Sequence, residues 1–248
     1  MARAAFALWL AAAACGRIGF GDLAGDAKPG DGTSSAVLDA AIQPPEFIQH
    51  TATQNAGNQV AIATFGSAVA ADDLIIAGID FGYSGTPPTL TGVTDSVGGT
   101  YAFVGPFDGM VPTGIPTRLY IAYAIMAESG TATVQAALDS ESTSFFELRI
   151  HEYASTSLTD PFDSAAGSAG TNAGSDSASE LATTTEPNEL IFAMAIDDIV
   201  TVGTGFTARG PDFDDLTEDM IAPTPAVYDV VATTNGEWVL ANAVFRGR

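Results

Sequence analysis

From residue 47 onward the chain is a succession of short apolar runs, each closed by Gly, Pro, Asp, Asn or Thr, and no amphipathic helix of useful length interrupts them. The clearest runs are 58–65, 73–81, 117–127, 131–138, 144–153, 189–197, 226–233 and 237–245. Weaker ones are FIQHTAT, TLTGVTD, TYAFV, ELATT and GFTAR. Alanines in 117–127 and 189–197 would suit helices. Yet Leu119, Ile121, Tyr123 and Ile125 alternate with period two among β-branched and aromatic neighbours, which predicts strands. Spacing of this kind indicates an all-β sandwich or barrel.

The 248 residues are ample for one large domain or two small ones, and 46% apolar against 15% charged residues indicates a chain that folds. Thirty acids face eight bases, for a formal charge of −22, and Lys28 is the only lysine. A field of that sign repels phosphate backbones, so nucleic acid is excluded as a natural partner. It also repels anionic lipid, so membrane attachment must come from something other than charge. A single cysteine excludes an intramolecular disulfide framework and a cysteine-based zinc site.

That cysteine, Cys15, closes the apolar stretch MARAAFALWLAAAAC. Arg3 supplies a minimal positive region, and residues 4–14 have the length of a signal-peptide core, short of the roughly 20 residues of a membrane span. Ala12, Ala13 and Ala14 before Cys15 resemble the lipobox of bacterial lipoproteins, with Ala12 where the family usually has leucine. The sequence after the cysteine is similar to that of myxobacterial-type lipoproteins. This resemblance implies that Cys15 is lipidated and becomes the mature N-terminus. By the family's sorting rules Gly16, in place of an aspartate, implies the outer membrane. The alternative is an ordinary signal peptide with an incidental cysteine. Residues 1–14 are thus expected to be a signal peptide, 15–45 a lipidated terminus and flexible Gly/Ala/Ser/Asp/Pro tether, and 46–248 a folded β-domain.

Within that domain, 93–101 (VTDSVGGTY) reads as a hairpin turned by Gly98 and Gly99. AADDLIIAGID (70–80) and EPNELIFAMAID (186–197) are alike, which suits buried strands in equivalent positions. These segments, with FELRIHEY (146–153) followed by DPFD and the closing EWVL, resemble a jelly-roll-like β-sandwich of secreted bacterial and phage proteins. The resemblance implies a two-sheet antiparallel jelly-roll-like sandwich and no particular reaction.

No nucleophile elbow, phosphate loop, zincin motif or dinucleotide fingerprint is present, so no catalytic residue and no cofactor is expected. The run at 211–219 (PDFDDLTED) is the best metal candidate through Asp212, Asp214 and Asp215, but it lacks the spacing of an EF-hand and reads as a solvated acidic loop. In 146–153, Phe146, Leu148 and Ile150 share one face, and Glu147, Arg149, His151 and Tyr153 the other. The polar four are expected to point outward, as a solvated face or as part of a sugar- or protein-binding surface. The loop 105–116 carries Phe107, Met110 and Val111 among glycines and prolines, either as a contact site or tucked over the core. The expected function is a lipid-anchored outer-membrane binding or structural module with an unidentified glycan or protein ligand. The alternatives are a lectin-like carbohydrate-binding module and a secreted hydrolase.

Overall fold

The computed structural model describes residues 42–142, 144–171, 177–197, 201–234 and 236–248. The expected signal peptide, Cys15 and the expected tether up to residue 41 lie outside them. Fifteen strands and no helix make up the described residues. The first eight are β1 (Glu46–Asn55), β2 (Val60–Thr64), β3 (Leu74–Gly82), β4 (Leu90–Asp95), β5 (Ala102–Met110), β6 (Pro116–Ile125), β7 (Thr133–Leu138) and β8 (Phe146–Ala154). The remaining seven are β9 (Phe162–Thr171), β10 (Ser177–Thr183), β11 (Glu189–Ile196), β12 (Thr207–Gly210), β13 (Leu216–Ala222), β14 (Val227–Thr233) and β15 (Glu237–Phe245).

The strands form four sheets, in the orders β1-β8-β3-β6-β5, β2-β7-β4, β12-β13-β11-β15-β9 and β10-β14. All pairings are antiparallel. These orders contain one topology twice. Replacing β1, β2, β3, β5, β6, β7 and β8 by β9, β10, β11, β12, β13, β14 and β15 converts the first five-stranded sheet into the second, and the β2-β7 pair into β10-β14. The register repeats as well: Leu74 faces Tyr153 and Ile125 in the first half as Leu190 faces Phe245 and Ile221 in the second. The likeness of 70–80 to 186–197 is the sequence trace of this repeat. At both places a left-handed residue (Asp72, φ 73°; Asn188, φ 63°) precedes a carboxylate and Leu-Ile. β4 has no counterpart among the described residues, and the connection from β11 to β12 (197–206) is much shorter than that from β3 to β5 (83–101).

The all-β sandwich expected from the sequence therefore occurs twice, stacked. One core lies between β2-β7-β4 and the first five-stranded sheet, through Ile75, Ile79, Leu148 and Ile150. A second lies between the two five-stranded sheets, through Ile76, Ile121, Phe192 and Val239. The third lies between the second five-stranded sheet and β10-β14, through Ile191, Leu240 and Val230. Strands β3, β8, β11 and β15 are covered on both faces, which is why LIIAGIDF and LIFAMAI read as unbroken apolar runs rather than alternating ones. Residues 42–45 belong to the folded unit too, since the Gln43 backbone exchanges hydrogen bonds with that of Arg248.

Two local expectations change, and one strand arises where the sequence carries no apolar run. Residues 93–101 are not a hairpin: β4 and β5 lie in different sheets, and the Asp95 carboxylate accepts from the Val97 and Gly99 amides to turn the chain between them. The loop at 105–116 is mostly strand, because β5 extends to Met110 through a bulge between Val104 and Phe107. Strand β9 (FDSAAGSAGT) had no apolar signature. Its small residues accept large neighbours, Gly167 lying under the Phe107 ring and Gly170 under Trp238.

Where the five-stranded sheets pack back to back, β3 meets β11 at Gly78, equivalent in the repeat to Met194 itself. A Cβ at Gly78 would come within about 2.4 Å of the Met194 sulfur. Gly78→Ala is expected to destabilise by about 1–3 kcal/mol through overpacking. Met194→Ala relieves that clash, so chemical denaturation of the double variant should show a favourable coupling of about 0.5–3 kcal/mol. Additive effects would place the two strands farther apart.

Candidate functional site

The contact between the five-stranded sheets has two seams, related by the repeat. In one, β15 packs near β6, and the facing residues are apolar: Val239, Ala241, Ala243 and Phe245 against Leu119, Ile121 and Tyr123. The Tyr123 and Phe245 rings lie 5.3 Å apart. In the other, the equivalent positions are Glu147, Arg149, His151 and Tyr153 on β8, facing Asp215 just before β13 and Thr217 and Asp219 on it. Each rung of this seam is polar. Arg149 Nη2 donates to Asp215 Oδ2 at 2.6 Å, His151 Nε2 lies 2.9 Å from Thr217 Oγ1, and the Tyr153 hydroxyl donates to Asp219 Oδ2 at 2.7 Å.

Glu147, Arg149, His151 and Tyr153 thus do share one face, with Phe146, Leu148 and Ile150 on the other, but that face meets a second sheet instead of water. All four are buried, Arg149 and His151 fully. The acidic run at 211–219 is corrected likewise. From Leu216 it is strand β13, and Asp215, Glu218 and Asp219 are buried. The two candidate regions singled out separately in the sequence are opposite sides of one seam. Period-two alternation separates the faces of a strand without saying what covers each face, and the acids of β13 hid its strand pattern.

Arg149 is the hub. Its Nη1 donates to Asp80 Oδ1 at 2.6 Å, and its Nη2 to Glu147, to Asp215 and to the Asp212 carbonyl oxygen. The Phe213 ring stands 5.4 Å from the guanidinium. Asp80 is the acid in an otherwise apolar β3, and its equivalent in the repeat is Ile196. Gln54 donates to the second Glu147 oxygen, and the Asp197 amide to Asp215 Oδ1 at 3.1 Å. Three acids share one guanidinium, and Asp80 Oδ2 is buried with no hydrogen-bond partner. Burial, with Glu147 adding to it, pushes the Asp80 carboxyl up to about 8, and burial raises Asp215 well above the usual carboxylate range. His151 is driven the other way, first by burial and then by His50 and Arg149, and is neutral.

Around this hub, His50 stacks on His151 with centroids 5.4 Å apart and its Nε2 lies 2.9 Å from Asp212 Oδ2. Arg209 Nε donates to Asp219 at 2.7 Å while its guanidinium covers the Phe47 ring. Of the three acids proposed as metal ligands, Asp212 is engaged by His50, Asp214 is exposed, and only Asp215 joins a carboxylate cluster. Among the described residues, Asp80, Glu147 and Asp215 place carboxylate oxygens within 4.8 Å of one another, the spacing of a metal site. Arg149 already donates to one oxygen of each of these acids. Phe107 lies half-buried between the sheets over Gly167, away from the hub, and Met110 is exposed at the end of β5.

No family model, curated protein or solved structure matches the chain. Its own internal repeat is therefore the standard against which the site is read.

A cleft of about 220 Å³ opens beside the hub. It lies between the β5–β6 loop (111–115) and the β12–β13 loop (211–215), which the repeat makes equivalent, and the ends of β1, β8 and β11 complete it. Phe213 and Asp214, at its rim, hold consecutive left-handed conformations (φ 60° and 69°), a costly state for non-glycine residues that the surrounding contacts maintain.

Two outcomes follow. Arg149→Ala is expected to cost about 3–5 kcal/mol, because Asp80, Glu147 and Asp215 lose the buried cationic donor that they share. A cost below 1 kcal/mol in urea denaturation would show the cluster to be solvated. Stability should also depend on pH in an unusual sense. Unfolded carboxyls titrate near 4, whereas burial holds the protons of Glu218 to about 7 and of Asp80 to about 8. The folded state therefore binds more protons across that window, and stability falls as pH rises through it. His151 opposes this below about 6.5 only, as a single group against several carboxyls. Melting temperature should drop between about pH 5 and pH 8, and drop less in Asp80→Asn.

Proposed function

We propose that the chain is a lipid-anchored outer-membrane protein whose doubled sandwich is a binding module and not a catalyst. The observation that carries this reading is the asymmetry between equivalent seams. The same positions that pack as Leu, Ile, Val and Ala on one side hold Arg, Glu, His and Asp on the other. Departure from an apolar solution that the same chain uses elsewhere marks a place selected for something besides folding. The polar groups are tied to one another, Arg149 to its carboxylates and His50 to Asp212, while an open cleft lies directly beside them. A site that holds fixed charge against a cleft suits recognition.

The anchoring half of the proposal rests on Ala12-Ala13-Ala14-Cys15 and the Gly/Ser/Asp/Pro-rich segment after it. Lipid attachment also reconciles membrane residence with a net charge of −22, which by itself repels anionic bilayers. Cys15→Ser should shift the protein from the membrane to the soluble fraction or arrest it unprocessed, and intact-mass analysis of the wild type should show acylation at Cys15. An unlipidated mature chain starting elsewhere would refute the anchor.

A further inference from the structure

We propose that the cleft beside Arg149 binds an aliphatic chain ending in an ammonium group, either a free alkyl amine or the side chain of a lysine on another protein. The proposal deepens the binding-module reading and rests on it.

The cleft is amphipathic in a particular arrangement. Its walls are Val111, Pro112, Ile115, Phe145, Ile196 and Phe213, six apolar side chains from both halves of the repeat. Gln54, Thr113, Glu147, Asp197, Asp214 and Asp215 supply its polar lining, four of them acids and none a base. Arg149 behind them answers for Glu147 and Asp215 but is shared with Asp80, whose Oδ2 stays buried and unpartnered. An edge lined by acids and by no base favours a positive over a negative charge, and low-dielectric walls strengthen that preference. An anion is repelled, and a neutral sugar leaves the charge as it finds it.

Size and wall chemistry narrow the class. At about 220 Å³ the cleft falls below the roughly 300–1,000 Å³ of sites for drug-sized ligands, so it suits one side chain or a short amine. A bare metal ion would gain nothing from six apolar walls. It would also have to compete with Arg149, which donates to one oxygen each of Asp80, Glu147 and Asp215. An alkyl ammonium uses both features, laying its methylenes along Phe145, Ile196 and Phe213 and adding its charge at the acidic edge without disturbing the guanidinium.

The test is calorimetric titration of the purified full-length chain, in detergent at low salt, with 1,5-diaminopentane, N-acetyl-lysine methylamide and calcium chloride. The account expects saturable one-to-one binding of the diamine that weakens with added salt. Thr113→Lys sets a resident ammonium at the exposed mouth and should abolish binding, and Asp214→Asn should weaken it about twofold to fivefold. Melting temperature confirms that each variant is folded, with Asp214→Lys as the second blocking variant should Thr113→Lys not fold. Equal binding of the lysine derivative identifies a protein lysine as the occupant, and binding of the diamine alone identifies a free amine. Absence of heat with both amines at millimolar concentration overturns the proposal, as does binding that both blocking variants leave unchanged. Calcium that competes with the diamine and is lost in Glu147→Gln would also overturn it, in favour of a metal site. Membrane retention of the same preparation reports separately on the anchor.

Discussion

Everything at the centre of this molecule is arranged around one buried guanidinium. Arg149 has no contact with water and holds Asp80 from its own sheet and Asp215 from the opposite one. Taking such charges out of water is expensive, and the attraction returned in the interior roughly offsets the cost instead of adding a large surplus. What the arrangement supplies is register. With Arg149 fixed on Asp215, the next residues of the same parity must meet, and His151 lies on Thr217 and Tyr153 on Asp219. A slip by one residue in β8 would turn the charges into the apolar core of Ile79 and Ala136 and bring Leu148 and Ile150 to the carboxylates. The position of the two halves against each other follows from this seam, and so does the cleft at its end.

The repeat makes the energetics readable without outside comparison. Asp80, Glu147, Arg149 and Asp215 correspond through strand register to Ile196, Val239, Ala241 and Leu119. The second set closes its seam with side chains that need no hydrogen-bond partners. The first leaves a buried carboxylate oxygen unpaired and raises the Asp80 carboxyl to about 8. One architecture thus tolerates both solutions, and Glu147 and Asp215 of the polar one line the amphipathic cleft. The strained pair Phe213–Asp214 lies on the same rim, another local cost concentrated at the place where the two halves differ.

Much of the fold was legible because large apolar residues announce strands. β3, β6, β8, β11 and β15 all follow the runs read from the sequence. The strands that escaped did so for opposite reasons. β9 is built of Ala, Gly and Ser that serve as seats for Phe107 and Trp238, so its signal lies in the residues packed on it. β13 carries Thr217, Glu218 and Asp219, which look solvated until their partners on another sheet are known. The polar face of β8 was assigned correctly as a face and wrongly as a surface, because local alternation contains no information about a second layer. A clue did exist: Asp80 stands alone in an apolar run whose repeat has isoleucine at that position, and a buried acid calls for a buried base. The anchor proposed at Cys15 rests on the sequence alone.

The most direct test of this account transplants one seam onto the other. In the variant Asp80→Ile, Glu147→Val, Arg149→Ala, Asp215→Leu, each hub residue is replaced by the one at its repeat-equivalent position. If the polar seam is retained for recognition and adds no net stability over an apolar one, this protein should unfold in urea in one cooperative transition with a midpoint at pH 8 equal to or above that of the wild type. A chain that fails to fold, or whose midpoint falls below that of Arg149→Ala alone, would contradict the equivalence of the two seams and the claim built on it.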